Sequence, residues 1–139
     1  MLVKDVMTRE VETIHPDSTL QEAAEKMKDR DIGPLPVCDD DRLVGILTDR
    51  DIAVRAVAEG YDPWTDKVRD AMTTEVVYCF DDQDVREAAR LMKEKQIRRL
   101  AVLDRGKRLI GIVSLGDLAL EVKDEHLAAQ TLEEVSRPA

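Results

Sequence analysis

Gly45-Ile46-Leu47-Thr48-Asp49-Arg50-Asp51 is written twice in this chain, returning as Gly111-Ile112-Val113-Ser114-Leu115-Gly116-Asp117. Each copy reads as an apolar strand that runs through a small hydroxyl residue into a helix. The leading glycine admits the close approach of another backbone. Thr48 and Ser114 stand where an N-cap belongs, with Asp51 and Asp117 three residues later. Free N–H groups and the positive end of a helix gather there, beside a carboxylate able to accept two hydroxyl hydrogen bonds. That combination suits a sugar diol with a phosphate attached.

The duplication spreads over most of the chain. Val6-Met7-Thr8 returns as Ala71-Met72-Thr73, and Glu22-Ala23-Ala24 with Met27 returns as Glu87-Ala88-Ala89 with Met92. These pairs lie 65 residues apart, whereas Gly45 to Gly111 and Asp51 to Asp117 are 66 apart, so the turn at Asp104-Arg105-Gly106-Lys107 carries one extra residue. Residues 1–60 form the first repeat, 61–66 a linker around Gly60-Tyr61-Asp62-Pro63-Trp64, 67–123 the second repeat, and 124–139 a tail.

The hydrophobic periods give the same element order in each repeat. In the first, a helical turn covers Val3 to Met7 and a strand Val11 to Ile14. A helix follows, opened by the Thr19/Glu22 capping-box pattern and ended near Arg30 before Gly33-Pro34. Leu35 to Cys38 is a strand, Asp39-Asp40-Asp41 a polar turn, and Leu43 to Leu47 a strand buried on both faces. A second helix runs from Asp49 to about Ala58, with Ile52, Ala53, Ala56 and Val57 on one side. In the second repeat come a turn at Lys67 to Met72, a strand Val76 to Phe80, and a helix Asp84 to Lys95 opened by Asp84/Glu87. Strands Leu100 to Leu103 and Leu109 to Val113 and a helix from Leu115 to about Lys123 complete it. Leu127, Ala128, Leu132 and Val135 predict a further helix in the tail. The fold class is α+β: tandem strand-helix-strand-strand-helix units with small mixed sheets flanked by helices.

Composition bounds the function. With 139 residues, 43% hydrophobic and 37% charged, the chain can build one good core or two small interdependent ones. One Phe, one Trp and two Tyr leave that core aliphatic. A net charge of −9 argues against nucleic acid or an anionic membrane as the main partner. No apolar leader or membrane-length run is present, and Cys38 and Cys79 lack C-x-x-C spacing, so a cytoplasmic location with free buried thiols is expected, a disulfide or metal site being the minor alternative. His15 and His126 are far apart in sequence, and no nucleophile–base pair, P-loop or metal triad is visible, so no enzyme activity and no metal site are expected.

The order of elements, given twice and ending each time in Gly-h-x-[Thr/Ser]-x-x-Asp, resembles a CBS domain pair (a Bateman module) over roughly residues 3–122. Asp31-Ile32-Gly33-Pro34-Leu35-Pro36 and Leu47-Thr48-Asp49-Arg50-Asp51 are similar to small stand-alone bacterial pairs of the hypoxic-response type. The resemblance implies a pseudo-twofold module and a cleft between the repeats that takes an adenosine compound: AMP, ADP, ATP or S-adenosylmethionine, with no cofactor required. It implies sites that cross over. One would combine Thr48 and Asp51 with Val76, Val77, Ile97, Arg98 and Arg99. The other would combine Ser114 and Asp117 with Thr13, Ile14, Ile32, Gly33, Pro34 and Pro36. Arg98 and Arg99 suit bidentate phosphate contacts, whereas Gly33 and Pro34 bring no charge and, at Pro34, no N–H. The Asp51 site is therefore expected to be the stronger nucleotide site. A homodimer, and a protein partner addressed in trans, complete the expectation of a ligand sensor.

A plainer alternative stands beside each residue. Thr48 and Ser114 can be simple N-caps with dipole-complementing aspartates, Asp51 can pair with Arg55 one turn on, and Arg98-Arg99 can be solvated surface. The functional alternative is a ligand-free dimeric stress-response or interaction protein on the same fold.

Overall fold

The computed structural model describes residues 1–122. It is a mixed α+β structure with two small sheets, each flanked by helices. Two compact units are present, and they cut across the sequence repeats. One is the continuous stretch Glu12–Val76; the other joins Met1–Val11 to the chain from Val77 onward.

In the continuous unit, α1 (Leu20–Arg30) begins at Thr19, whose hydroxyl accepts from the Glu22 amide at 3.2 Å. Glu22 makes no return bond, so the expected box is half formed. Leu20, Ala23 and Met27 are the buried stripe. The helix stops where Asp31 turns left-handed at φ 53°, and the Ile32 amide then reaches back to the Met27 carbonyl at 3.0 Å. β1 (Leu35–Asp39) and β2 (Arg42–Leu47) pair antiparallel around the Asp40 turn, with a bulge at Val37/Cys38. Only Gly45 and Leu47 of β2 are buried, so this strand is not covered on both faces as expected.

The strand expected at Val11 to Ile14 shrinks to one parallel bridge, Ile14 to Val37. Ile14 donates to the Pro36 carbonyl at 3.0 Å and accepts from the Cys38 amide at 2.9 Å. Extending the ladder toward Val11 would need an N–H on Pro36, which has none. At the matching position the other unit has Ala101, and there a three-residue strand, Tyr78–Phe80, pairs in parallel.

The helix expected from Asp49 to Ala58 is one α-turn, α2 (Asp49–Asp51), followed by a π-helical segment, Ile52–Val57. Its wider turn puts Ala56 in the core and leaves Val54 and Val57 52% and 69% exposed, so Val57 does not join the buried side. Arg55 does not pair with Asp51; its guanidinium donates to the Ala71 and Met72 carbonyls of the α3 turn (Val68–Ala71) at 3.4 and 3.3 Å.

The other unit opens with a 3-10 turn, Val3–Asp5, held by amides of Val3 and Lys4 on the carbonyls of Gln83 and Asp81. β3 (Tyr78–Phe80) runs parallel to β4 (Arg99–Leu103), which pairs antiparallel with β5 (Leu109–Ser114). β3 starts two residues later than expected. α4 (Val85–Lys95) is capped by Asp84 on the Arg86 amide, not through Glu87. It ends as α1 does: Gln96 is left-handed at φ 54°, and Ile97 bonds back to Met92 at 3.0 Å. α5 (Leu115–Val122) closes the described chain. The tail helix expected over 124–139 lies outside the described residues.

The motif glycines explain how the units are assembled. The lead-in Val6-Met7-Thr8 lies on the second repeat's sheet, where Thr8 and Ile112 exchange both amide bonds at 2.8 and 2.9 Å. Met72-Thr73 does the same on the first repeat's sheet, with Thr73 and Ile46 exchanging two bonds of 2.9 Å. A Cβ on Gly111 would lie 2.7 Å from the Met7 sulfur and 2.8 Å from the Thr8 carbonyl oxygen; on Gly45 it would lie 2.7 and 2.9 Å from Met72 and Thr73. The close-approaching backbone expected from the sequence is thus the other repeat's lead-in.

Candidate functional site

Each unit carries one copy of the hydroxyl–carboxylate box, and both copies close reciprocally. The Thr48 hydroxyl accepts from the Asp51 amide at 3.0 Å, while Asp51 Oδ2 accepts from the Thr48 amide at 3.0 Å. In the other unit the Asp117 amide donates to Ser114 Oγ at 3.1 Å, and the Ser114 amide donates to Asp117 Oδ2 at 2.9 Å. The structural role is therefore fulfilled. It uses one oxygen of each carboxylate; among the described residues, Oδ1 of Asp51 and of Asp117 receives no hydrogen bond. Both aspartates are half-buried, held in one orientation with a free acceptor.

The helix-to-strand loops reach these boxes by construction. The left-handed stops at Asp31 and Gln96 turn the chain into Ile32-Gly33-Pro34 and Ile97-Arg98-Arg99. One backbone bond then ties each loop to a box: Asp49 N to the Gly33 carbonyl at 3.2 Å, and Leu115 N to the Arg98 carbonyl at 2.9 Å. Ile32 and Ile97 each pack against the core of their own unit and anchor the loop. Arg98 and Arg99 are exposed.

Within the continuous unit, Thr48 and Asp51 thus come together with Gly33. Ile14 and Pro36 are buried there, Thr13, Ile32, Pro34 and Val76 half-buried. In the other unit, Ser114 and Asp117 come together with Arg98, and Val77 packs against the core. Arg98 and Arg99 belong to the other unit from Thr48 and Asp51. Two residues escaped the sequence reading. Lys26 donates to the Thr13 carbonyl at 2.6 Å and pairs with Glu12 at 3.6 Å. The Asp49 carboxylate lies against Gly33. The offset between repeats would have flagged Asp49, since its counterpart is Leu115.

The cysteines offer no chemistry to the site. Burial alone pushes the Cys79 thiol to about 12; burial, with the nearby Asp41 charge, pushes Cys38 to about 11. Neither is a thiolate at neutral pH. No group of three His, Cys, Asp or Glu side chains placed to hold a metal exists among the described residues, and none of their helices is long and apolar enough to cross a membrane.

A duplicated sheet-and-helix unit whose second hairpin strand ends in a hydroxyl–aspartate box defines a CBS domain, and this chain belongs to that family: the CBS domain model matches residues 3–57 and 68–124. Among curated proteins it is 43% identical over 134 residues to the CBS domain-containing protein YhcV of Bacillus subtilis, covering 96% of this chain and 94% of that one. It is 37% identical over 136 residues to hypoxic response protein 1 of Mycobacterium tuberculosis, covering 97% and 94%. Among solved structures it resembles Hypoxic Response Protein I with two coordinated zinc ions (TM-score 0.78, 38% identity, 86% of this chain and 98% of that one). It also resembles CBSX2 in complex with AMP (TM-score 0.75, 30% identity, 88% and 98%). The CBS pair of MJ0100 with 5′-methylthioadenosine and S-adenosyl-L-methionine is similar at TM-score 0.73 and 30% identity, over 90% and 98%.

Proposed function

We propose that this chain is a regulatory CBS pair that binds an adenosine-containing ligand and passes the signal to a protein partner in trans. The observation that carries this is the spare oxygen of Asp51 and Asp117: each carboxylate is fixed by the cap through Oδ2 and keeps Oδ1 for a hydroxyl. A ribose diol uses such an acceptor. AMP in CBSX2, and methylthioadenosine and S-adenosylmethionine in the MJ0100 pair, support the ligand class.

The stronger site is assigned to Thr48, Asp51, Val76, Val77, Ile97, Arg98 and Arg99, and the weaker to Ser114, Asp117, Thr13, Ile14, Ile32, Gly33, Pro34 and Pro36. These groupings rest on the family resemblance. The difference in strength rests on the two guanidinium groups of one loop against none in the other. The role is sensing in the cytoplasm without catalysis. A ligand shifts the protein only to the extent that it binds one arrangement better than another.

The test is a thermal-shift panel of adenosine, AMP, ADP, ATP, S-adenosylmethionine and GTP on wild type, Asp51→Asn and Asp117→Asn. Asparagine keeps an oxygen for the cap and loses the carboxylate charge. A ligand well above its dissociation constant adds roughly 2–4 kcal/mol, several degrees in melting temperature. The expected result is stabilisation by an adenine nucleotide that Asp51→Asn removes. A cooperative melt unmoved by any ligand would favour the interaction-protein alternative.

We also propose a homodimer. The exposed Val54 and Val57 support an apolar contact with a second molecule. Light scattering of wild type against Val54→Asp/Val57→Asp checks it; the expected outcome is a dimer whose mass the double variant halves.

A further inference from the structure

The two helix-to-strand loops are alike in backbone and opposite in charge. Asp31 and Gln96, Ile32 and Ile97, and the loop-to-box bonds of 3.2 and 2.9 Å all match. Three pairs of side chains do not: Gly33 faces Arg98, Pro34 faces Arg99, and Asp49 faces Leu115 in the repeat alignment. Every one of these differences makes the first repeat's loop less positive. The three atoms nearest a Cβ built on Gly33 all belong to the Asp49 carboxyl group, at 3.2 to 3.4 Å. The space that an Arg98 side chain leaves from in one unit is bordered by a carboxylate in the other. Asp49 Oδ1 accepts the amide of Arg50 at 3.0 Å, which holds the carboxylate in place.

From this we infer that Asp49 is a specificity residue: it closes the Gly33 loop to phosphate and reserves it for an adenosine compound with no negative charge at the ribose 5′ position. This rests on the adenosine-binding reading above. The missing guanidinium groups remove attraction; Asp49 adds repulsion, and discrimination between related ligands commonly uses both. Asp49 is exposed, so the repulsion is that of charges in a high effective dielectric, a factor of roughly ten against a phosphate dianion.

Calorimetric titration with adenosine, AMP and S-adenosylmethionine, on wild type, Asp49→Asn and Asp49→Leu, tests this. Asparagine preserves shape, and leucine copies the second repeat. In wild type, AMP should fill one tight position. In either variant a second AMP should bind about tenfold more tightly than to the same position in wild type, while adenosine affinity stays the same. Raising the salt concentration should narrow the AMP gain. Unchanged AMP binding in both variants overturns the role of Asp49 and leaves the sensor reading standing. Equal gains for adenosine and AMP also overturn it, because an uncharged ligand does not feel the carboxylate. No heat with any of the three ligands, in wild type and variants alike, sinks the adenosine reading and this inference together.

Discussion

Gly111→Ala is expected to lower the stability of the protein by about 2–3 kcal/mol, the scale of overpacking a tight interior contact. The added methyl would meet two atoms of very different give. The Met7 sulfur at 2.7 Å is the tip of a flexible side chain and can swing away. The Thr8 carbonyl oxygen at 2.8 Å cannot, because it accepts the Ile112 amide and is part of the bridge that seats the lead-in. The backbones must separate, weakening both Thr8–Ile112 bonds and loosening Val3, Val6 and Met7 from the core they share with Val113 and Leu115. Gly45→Ala should behave alike through Thr73. Gly116→Ala is the control: among the described residues its Cβ would find only Ser114 Oγ, at an ordinary 3.6 Å, and alanine inside α5 should be neutral or stabilising by up to about 1 kcal/mol. Urea denaturation of the three variants checks this. A neutral Gly111→Ala would mean that the lead-in is not seated where the structure puts it.

Leu100→Ala and Leu35→Ala should each cost about 3 kcal/mol, within the range for emptying a buried leucine position. They are one position in two repeats, at 1% and 0% exposure, each one step past a loop that reaches a hydroxyl–aspartate box. Leu100 belongs to the same buried cluster as Val102, Met92 and Val113; Leu35 to that of Leu20, Met27 and Leu47. On the proposed assignment of Arg99 to a phosphate site, the cavity left at Leu100 disturbs its seating, and this variant should weaken AMP binding as well as lower the denaturation midpoint. A loss below about 1 kcal/mol in either would mean that the aliphatic core relaxes around the deletion.

What could be read from sequence was whatever the duplication wrote twice. The glycine, the hydroxyl and the aspartate declared themselves by register, and the caps at Thr19 and Asp84 followed from local chemistry. The losses have physical causes. The Val11 to Ile14 strand looked extended, but its ladder depends on Pro36, a residue on another element. The π-helical turn at Ile52–Val57 has no periodic signature, because the apolar spacing there fits an α-helix equally well. Exchange of the lead-ins was hidden for a deeper reason: Val6-Met7-Thr8 and Ala71-Met72-Thr73 fit the same groove, and binary pattern cannot tell which of two near-identical sheets each will choose. Asp49 was visible as a letter, yet its meaning needed the distance to Gly33.

That exchange sets an order on synthesis at the ribosome. Thr73 leaves soon after Ile46, so the stretch 12–76 can close as a contiguous piece while translation continues. Thr8 must wait for Ile112, roughly ten seconds at ordinary elongation rates. During that interval the nascent chain presents Ile46 to Thr8 before the rightful occupant Thr73 exists. Ile46 is thus available to Thr8 until Thr73 has been made, and the native pairing is reached only with Thr73 in that place.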